Sequence, residues 1–199
     1  MADESIFLRK KTPAPPVFPV KVILKFLAVL LGLALLAALG LFVYFKLQFT
    51  TYADSQYKFS IKYPKSWKVV VHPQPNVAVV FLRPKDTAMD TIQENFSVTV
   101  QPIPASIFNL AQFSATVKNQ MTAVFSKSIQ IAEDKPLHWG WREGRQMVFN
   151  APKPDHLKMV NAWVLRDNQS YILTFFGDMN KYDKDKFYIE EIIHSLQLE

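Results

Sequence analysis

Four histidines, His72, His138, His156 and His194, are the side chains best suited to proton transfer or metal ligation, and no two stand four residues apart. An H-x-x-x-H or H-E-x-x-H arrangement, which sets two imidazoles on one helical face, is therefore missing. The sequence has no cysteine, which removes disulfides, thiol nucleophiles and thiolate metal sites together. Five glycines leave little material for a phosphate loop or a dinucleotide fingerprint, and no Gly-x-Ser-x-Gly elbow occurs. The expectation is no catalytic residue, no cofactor and no metal.

Three weaker constellations remain. Asp178, Asn180, Tyr182, Asp183 and Asp185 put oxygens near alternate positions, but Tyr182 stands where a calcium loop needs an acid or amide and the loop glycine is absent. These acids are expected to serve a helix N-terminus instead. Glu190 and Glu191 are consecutive and would point about 100° apart on a helix, too far to act as paired carboxylates. Trp139, Trp141, Arg142 and Arg145 form the candidate binding patch, an aromatic-basic group for a ligand or glycan. The competing expectation is that alternating tryptophans fill one sheet face.

The elements that would carry these residues begin with an apolar run from Phe26 to Phe45 without charge or proline. About twenty helical residues match the roughly 30 Å core of a bilayer. Lys21 and Lys25 precede the run, Lys46 follows it, and Tyr44, Phe45, Phe49 and Tyr52 supply aromatic residues on that side. Arg9, Lys10, Lys11, Lys21 and Lys25 before the run against Lys46 after it predict a cytoplasmic N-terminus and an exported C-terminal part. Bulky residues where a cleavage site would lie favour an uncleaved signal anchor. The expected organisation is a proline-rich basic tail at 1–21, a transmembrane helix at 22–46, a linker at 47–56 and an extracytoplasmic domain at 57–199. The tail contains one P-x-x-P pattern, Pro13 to Pro16, read as a stiff extended segment.

Charge follows the same division. The net +6 comes largely from the first fifty residues, so the basicity speaks for anionic lipid and topology rather than nucleic acid.

Beyond the anchor, Tyr57, Phe59, Ile61 and Tyr63 alternate with polar residues, Trp67 to Val71 continue after the turn at Pro64 to Ser66, and Val77 to Leu82 and Asn95 to Val100 complete four strands. Asn109-x-x-Gln112 opens a helix to about Phe125, with Leu110, Phe113, Val117, Met121 and Val124 on one face. Ser128 to Ile131, a long extended stretch around Trp139 to Asn150 and a hairpin of Val160 to Leu165 and Tyr171 to Phe176 follow, the hairpin turning at Asp167 to Gln169. Ile189, Ile192, Ile193 and Leu196 give the closing helix, Asp183 to Leu196, its apolar face.

Tyr57-Lys-Phe-Ser-Ile-Lys-Tyr-Pro-Lys-Ser-Trp-Lys68 resembles the opening hairpin of PsbP-like domains, where a Phe-containing strand runs into Tyr-Pro, a short turn and a Trp. A central helix, a later strand at Tyr171-Ile-Leu-Thr-Phe and a terminal Ile-Ile-x-Ser-Leu segment agree in order. The resemblance spans roughly residues 52 to 198. It implies an α+β fold, an alpha/beta/alpha sandwich with a central antiparallel sheet, here preceded by one transmembrane helix. It also implies a non-enzymatic binding or assembly module. The plant photosystem member works in the thylakoid lumen, whereas this chain carries a membrane anchor.

The sequence therefore predicts an accessory subunit of a membrane protein complex, held in the lipid bilayer by its N-terminal helix and binding no nucleic acid. An enzyme assembled from distant loops is one alternative. A pilin-like subunit is another, although the glycine before Phe-Thr-x-x-Glu that marks pilin processing is absent. Asn95-Phe-Ser97 and Asn168-Gln-Ser170 are glycosylation sequons in a host that modifies exported proteins.

Overall fold

The computed structural model describes residues 20–107, 109–125, 129–151 and 156–199. The proline-rich tail at 1–19, its P-x-x-P pattern and Ser128 lie outside the described residues. The chain divides into two units, Met1–Lys46 and Leu47–Glu199. In the first, α1 (Val20–Leu47) contains an apolar span, Val22–Tyr44, with a mean hydropathy of 2.8 and none of it buried in protein. It is long and apolar enough to cross a bilayer. Lipid offers backbone N–H and C=O groups no partners, so such a segment satisfies them internally as a helix.

The second unit opens with β1 (Phe49–Asp54) and β2 (Phe59–Pro64), which pair antiparallel from Phe49↔Pro64 to Asp54↔Phe59. Residues 47–56, expected to be a linker, thus contain a strand. Its residues alternate less clearly than those of β2 because only Asp54 is fully buried. Four strands follow the expected places, β3 (Lys68–Gln74), β4 (Val77–Leu82) and β5 (Asn95–Pro102) being the last three, so that five strands and not four precede α2 (Leu110–Val124). The side chain of Asn109 caps α2, accepting from Gln112 N–H at 2.9 Å.

Next come β6 (Gln130–Trp139), β7 (Arg142–Ala151), β8 (Leu157–Arg166), β9 (Gln169–Asp178), α3 (Tyr182–His194) and a short β10 (Gln197–Leu198). The extended stretch expected over Trp139 to Asn150 is β7 from Arg142 onward, and it pairs with β6 in a hairpin that turns at Gly140 and Trp141. Gly140 takes φ +61° at the first central position of a two-residue turn, where a II′ turn calls for glycine. Glu133 to Lys135 and Pro136 obscure the part of β6 beyond Ile131 in the sequence, since they interrupt its apolar alternation.

Seven strands form one antiparallel sheet in the order β3-β4-β5-β9-β8-β7-β6, and β1-β2-β10 form a smaller one. On one face of the large sheet, Phe113 and Val117 of α2 bury against Met147, Phe149, Met159 and Trp163. The Trp163 indole N–H donates to the Ser114 hydroxyl at 3.1 Å. On the other face, Ile189, Ile192 and Ile193 of α3, with Phe59 and Ile61 of the small sheet, cover Val160, Ala162, Leu173 and Phe175. The domain is an α+β sandwich with a central antiparallel sheet between helices, as the period-two strands and single-faced helices require.

Candidate functional site

The four residues of the expected patch lie on one hairpin, β6 to β7, but the sheet separates them. Trp139 is 8% exposed in the core under α3. Its indole N–H donates to the Ile193 carbonyl at 2.7 Å, near the end of α3. Gly144 lies beneath the ring, and a Cβ there would collide with Trp139 and with the Trp163 backbone. Arg145 points to the opposite sheet face, where it pairs with Asp134 beside α2 residues Ala111 and Ser114. Trp141, in the turn, is 83% exposed. The Arg142 guanidinium sits over its ring, 4.2 Å from the centroid, at the distance of a cation–π contact. The structure therefore brings Trp141 and Arg142 together, buries Trp139 and sends Arg145 elsewhere. Two tryptophans at i and i+2 share a face only in a continuous strand; the turn at Gly140 breaks that relation.

A charge cluster that sequence reasoning did not find lies at the other end of the large sheet. Arg83, just past β4, donates from Nε to Asp185 Oδ1 at 2.8 Å, from Nη1 to Glu94 Oε2 at 3.0 Å and from Nη2 to Asp86 Oδ1 at 3.0 Å. Arg83, Glu94 and Asp185 are all buried. Around them Lys184 pairs with Asp86 at 3.1 Å and Lys181 with Asp90 at 2.9 Å. Burial pushes the Asp185 and Glu94 carboxyls above their ordinary range although Arg83 pulls both down. Burial works against the Arg83 charge as well, yet its carboxylate partners raise its pKa. The remaining oxygens Glu94 Oε1 and Asp185 Oδ2 are sealed without a hydrogen-bond partner, and with Lys181 Nζ 3.8 Å from Glu94 Oε1 the Arg83 guanidinium is the main charge that holds the two buried acids. Beside the cluster lies a cleft of about 270 Å³ whose lining includes Gln48, Trp67, Lys85, Lys184 and Tyr188.

Asp185 accordingly departs from the capping role expected of the acids from Asp178 to Asp185. Lys181 occupies the N-cap of α3 without a side-chain bond, and Asp183 and Asp185 fall in the first turn, where negative charge suits the helix dipole. Asp178 Oδ1 accepts from Asn180 N–H at 2.8 Å. Tyr182 is buried, with Lys158 Nζ 4.1 Å from its ring centroid, and burial pushes its hydroxyl up to about 12. Only the long separation of Arg83, Glu94 and Asp185 hid the cluster.

The histidines do not converge. His72, at φ +45°, places Nε2 2.9 Å from Asp54 Oδ2. That carboxylate also accepts from the Tyr52 hydroxyl at 2.9 Å, while Oδ1 accepts from Gln56 N–H and Tyr57 N–H. Burial alone would raise the Asp54 pKa, but the Tyr57 amide, His72 and Tyr52 together hold it below its usual value. The Asp54 side chain thereby closes the turn between β1 and β2, as an Asx turn does. His194 lies 3.5 Å from Glu190 on the same helix, and His138 is exposed on β6. Among the described residues no group of three or more His, Cys, Asp or Glu is arranged to hold a metal.

The domain is thus an antiparallel sheet between helices, with buried charges knitting the layers at one end and an aromatic-basic hairpin tip at the other. Residues 47–198 match the PsbP family model, and the chain belongs to that family, whose fold is non-catalytic. The matched segment takes in β1 as well as the expected domain. Among solved structures the chain is similar to cyanobacterial PsbP (CyanoP) from Synechocystis sp. PCC 6803, with 13% identity, 76% of this chain and 93% of that one covered, and a TM-score of 0.58. It is also similar to LpqN of Mycobacterium tuberculosis, a protein involved in cell envelope biogenesis, at 9% identity, with 76% and 90% covered and a TM-score of 0.54. The Saccharomyces cerevisiae Ran-binding protein Mog1p shares the fold at 7% identity, with 75% and 95% covered and a TM-score of 0.53. At these identities the likeness is one of fold. No curated protein sequence matches significantly.

Proposed function

We propose that this protein is a single-pass membrane protein with a cytoplasmic N-terminus, displaying its PsbP-like domain outside the cytoplasm as an accessory or assembly subunit of a membrane protein complex. The observation that carries the reading is the tip of the β6–β7 hairpin. Trp141 is left in solvent on a rigid two-residue turn while Arg142 stacks on it, and Trp and Arg are the residue types that dominate interface hot spots. Stacking restricts the Arg142 side chain before any partner arrives, which reduces the entropy lost on binding. The five basic residues ahead of the apolar run, against Lys46 behind it, support the orientation.

Co-purification from native membranes tests the reading. A tagged full-length chain should bring down a defined membrane complex in fixed stoichiometry, and Trp141→Ala with Arg142→Ala should release it without unfolding the domain. Protease added to intact cells should remove the domain and spare an N-terminal tag. A chain that migrates alone from gently solubilised membranes, or a domain protected from protease, would contradict the proposal.

A further inference from the structure

The anchor reading leaves open what the chain-entry end of the domain itself touches. Gln48 is the first residue beyond α1 and lines the cleft beside Arg83. Four residues beyond Tyr44, the end of the apolar span, it can lie no further than about 14 Å from that point even on an extended chain. Whatever covers this end of the domain must therefore compete with lipid.

The surface there has the composition of a bilayer interface. Phe49 and Tyr188 stand 5.9 Å apart between ring centroids, and Tyr188 and Phe187 5.7 Å. Phe187 keeps 44% of its surface exposed, a large aromatic on the outer face of α3. Lysines share this end. Lys65 is exposed and donates its backbone N–H to the Gln48 carbonyl at 2.8 Å. Lys85 and Lys184 line the cleft, with Lys184 63% exposed. Of the nearby acids, Asp86 is bound by Arg83 and Lys184, Asp90 by Lys181, and Asp185 by Arg83. Asp183 and Glu191 remain exposed on α3. Apolar rings beside an amphipathic tyrosine, with lysines around them, form a pairing that settles at the headgroup layer.

Strand register places Trp141 at the other end. Leu82 pairs with Asn95 and Asn95 with Phe176, near the end of β9, whereas Gly144 pairs with Val164 and Val164 with Tyr171, near its start. Five residues of strand, about 17 Å, separate these levels. We infer that the Gln48, Phe49, Phe187 and Tyr188 surface, with Lys65, Lys85 and Lys184, rests on an anionic phospholipid bilayer, leaving Trp141 and Arg142 facing away from it. The inference rests on the anchor reading of α1 and adds a second lipid contact to it.

The absence of cysteine allows a direct test. Single spin labels introduced through Phe187→Cys or Trp141→Cys in the full chain, reconstituted in nanodiscs containing phosphatidylglycerol, report contact with oxygen dissolved in lipid or with a water-soluble nickel chelate. The label at position 187 should be relaxed mainly by oxygen and the one at 141 mainly by nickel. Replacing phosphatidylglycerol with phosphatidylcholine, or introducing Lys65→Glu or Lys85→Glu, should shift the 187 label toward water, each lysine being worth roughly fivefold in the docked population. Equal, aqueous behaviour of both labels would overturn the inference, as would protection of the 187 label that appears only with a second protein in the disc. A chain lost from the discs on flotation would remove anchor and docking together, whereas a retained chain with an aqueous 187 label would remove the docking alone.

Discussion

The two ends of the seven-stranded sheet treat arginine in opposite ways. Arg83 is buried and spends its donors on Glu94, Asp86 and Asp185, whereas Arg142 lies against an exposed tryptophan. A charge withdrawn from water must be paired within the protein, and the partners it recruits come from the β4–β5 connection (Asp86 and Glu94) and from α3 (Asp185), so the Arg83 end works as a fastener between the sheet and α3. A charge left near water can afford an unfinished set of partners, which another molecule can complete. The contrast predicts that one end governs stability and the other association.

Removing the buried guanidinium should have the largest effect. Arg83→Met takes the guanidinium from two buried acids, leaving Glu94 only the Lys181 ammonium at 3.8 Å, and should cost about 3–5 kcal/mol in denaturant unfolding. Adding Glu94→Gln and Asp185→Asn should restore much of that loss. The pH dependence has a definite sign: an acid whose folded pKa is raised binds protons that the unfolded chain has released, so its stability contribution falls as pH rises from the ordinary carboxylate value through the folded one. Both acids are already raised in the native protein, and the Arg83→Met variant should regain stability on acidification more than the native protein does. A variant as stable as the parent at neutral pH would show that the cluster is not a fastener.

The second effect belongs to Trp139, the residue of the expected patch that the fold draws inside. Trp139→Phe keeps most of the ring over Gly144 but removes the indole donor to the Ile193 carbonyl, which keeps only the backbone N–H of the helix end at 3.4 Å from Leu196, at a cost of about 1 kcal/mol. Melting of the full chain in detergent would measure it. A loss of partner capture with unchanged stability would move Trp139 back to the binding surface.

Much of this architecture was legible because its signals are local. Alternation marked β2, β4 and β5, and Asn109 with Gln112 marked the start of α2. The closing helix was visible from Ile189, Ile192 and Ile193. β1 was hidden because it is a half-exposed edge of the small sheet, and β6 beyond Ile131 because Glu133, Asp134 and Lys135 blur its alternation. The hairpin turn rests on a single glycine, Gly140, whose positive φ is not announced by a neighbouring Asn or Asp. The patch residues were identified by type, but which of them face solvent depends on that turn. Arg83, Glu94 and Asp185 meet only through sheet order and helix packing, which no local pattern encodes.

A smaller effect separates the Asp54 turn from both ends. Its carboxyl is held below the ordinary value of 3.8, so its contribution is present above that pH and is lost as pH falls through the lower, folded pKa. Asp54→Asn should flatten the acid limb of the stability curve while leaving partner capture intact. Circular dichroism melts between neutral pH and pH 3 would check it; an unchanged acid limb would show that the bonds from Tyr52, Tyr57 and His72 do not favour the charged form.

The smallest expected change in stability comes with the largest expected change in association. Trp141 is 83% exposed, so Trp141→Ala loses little buried apolar surface and should alter unfolding by no more than about 0.5 kcal/mol. It also frees Arg142 from its stacked position, so whatever the pair recognises loses both the aromatic contact and the fixed guanidinium. Trp141→Phe keeps a weaker platform for the cation and should retain part of the binding. Graded loss of a co-purifying complex from native chain to Phe to Ala, with superimposable melting curves, is the result that assigns association to this end. If Trp141→Ala instead lowered stability as much as Arg83→Met, the hairpin tip would belong to the fold, and the functional contrast between the two ends would disappear.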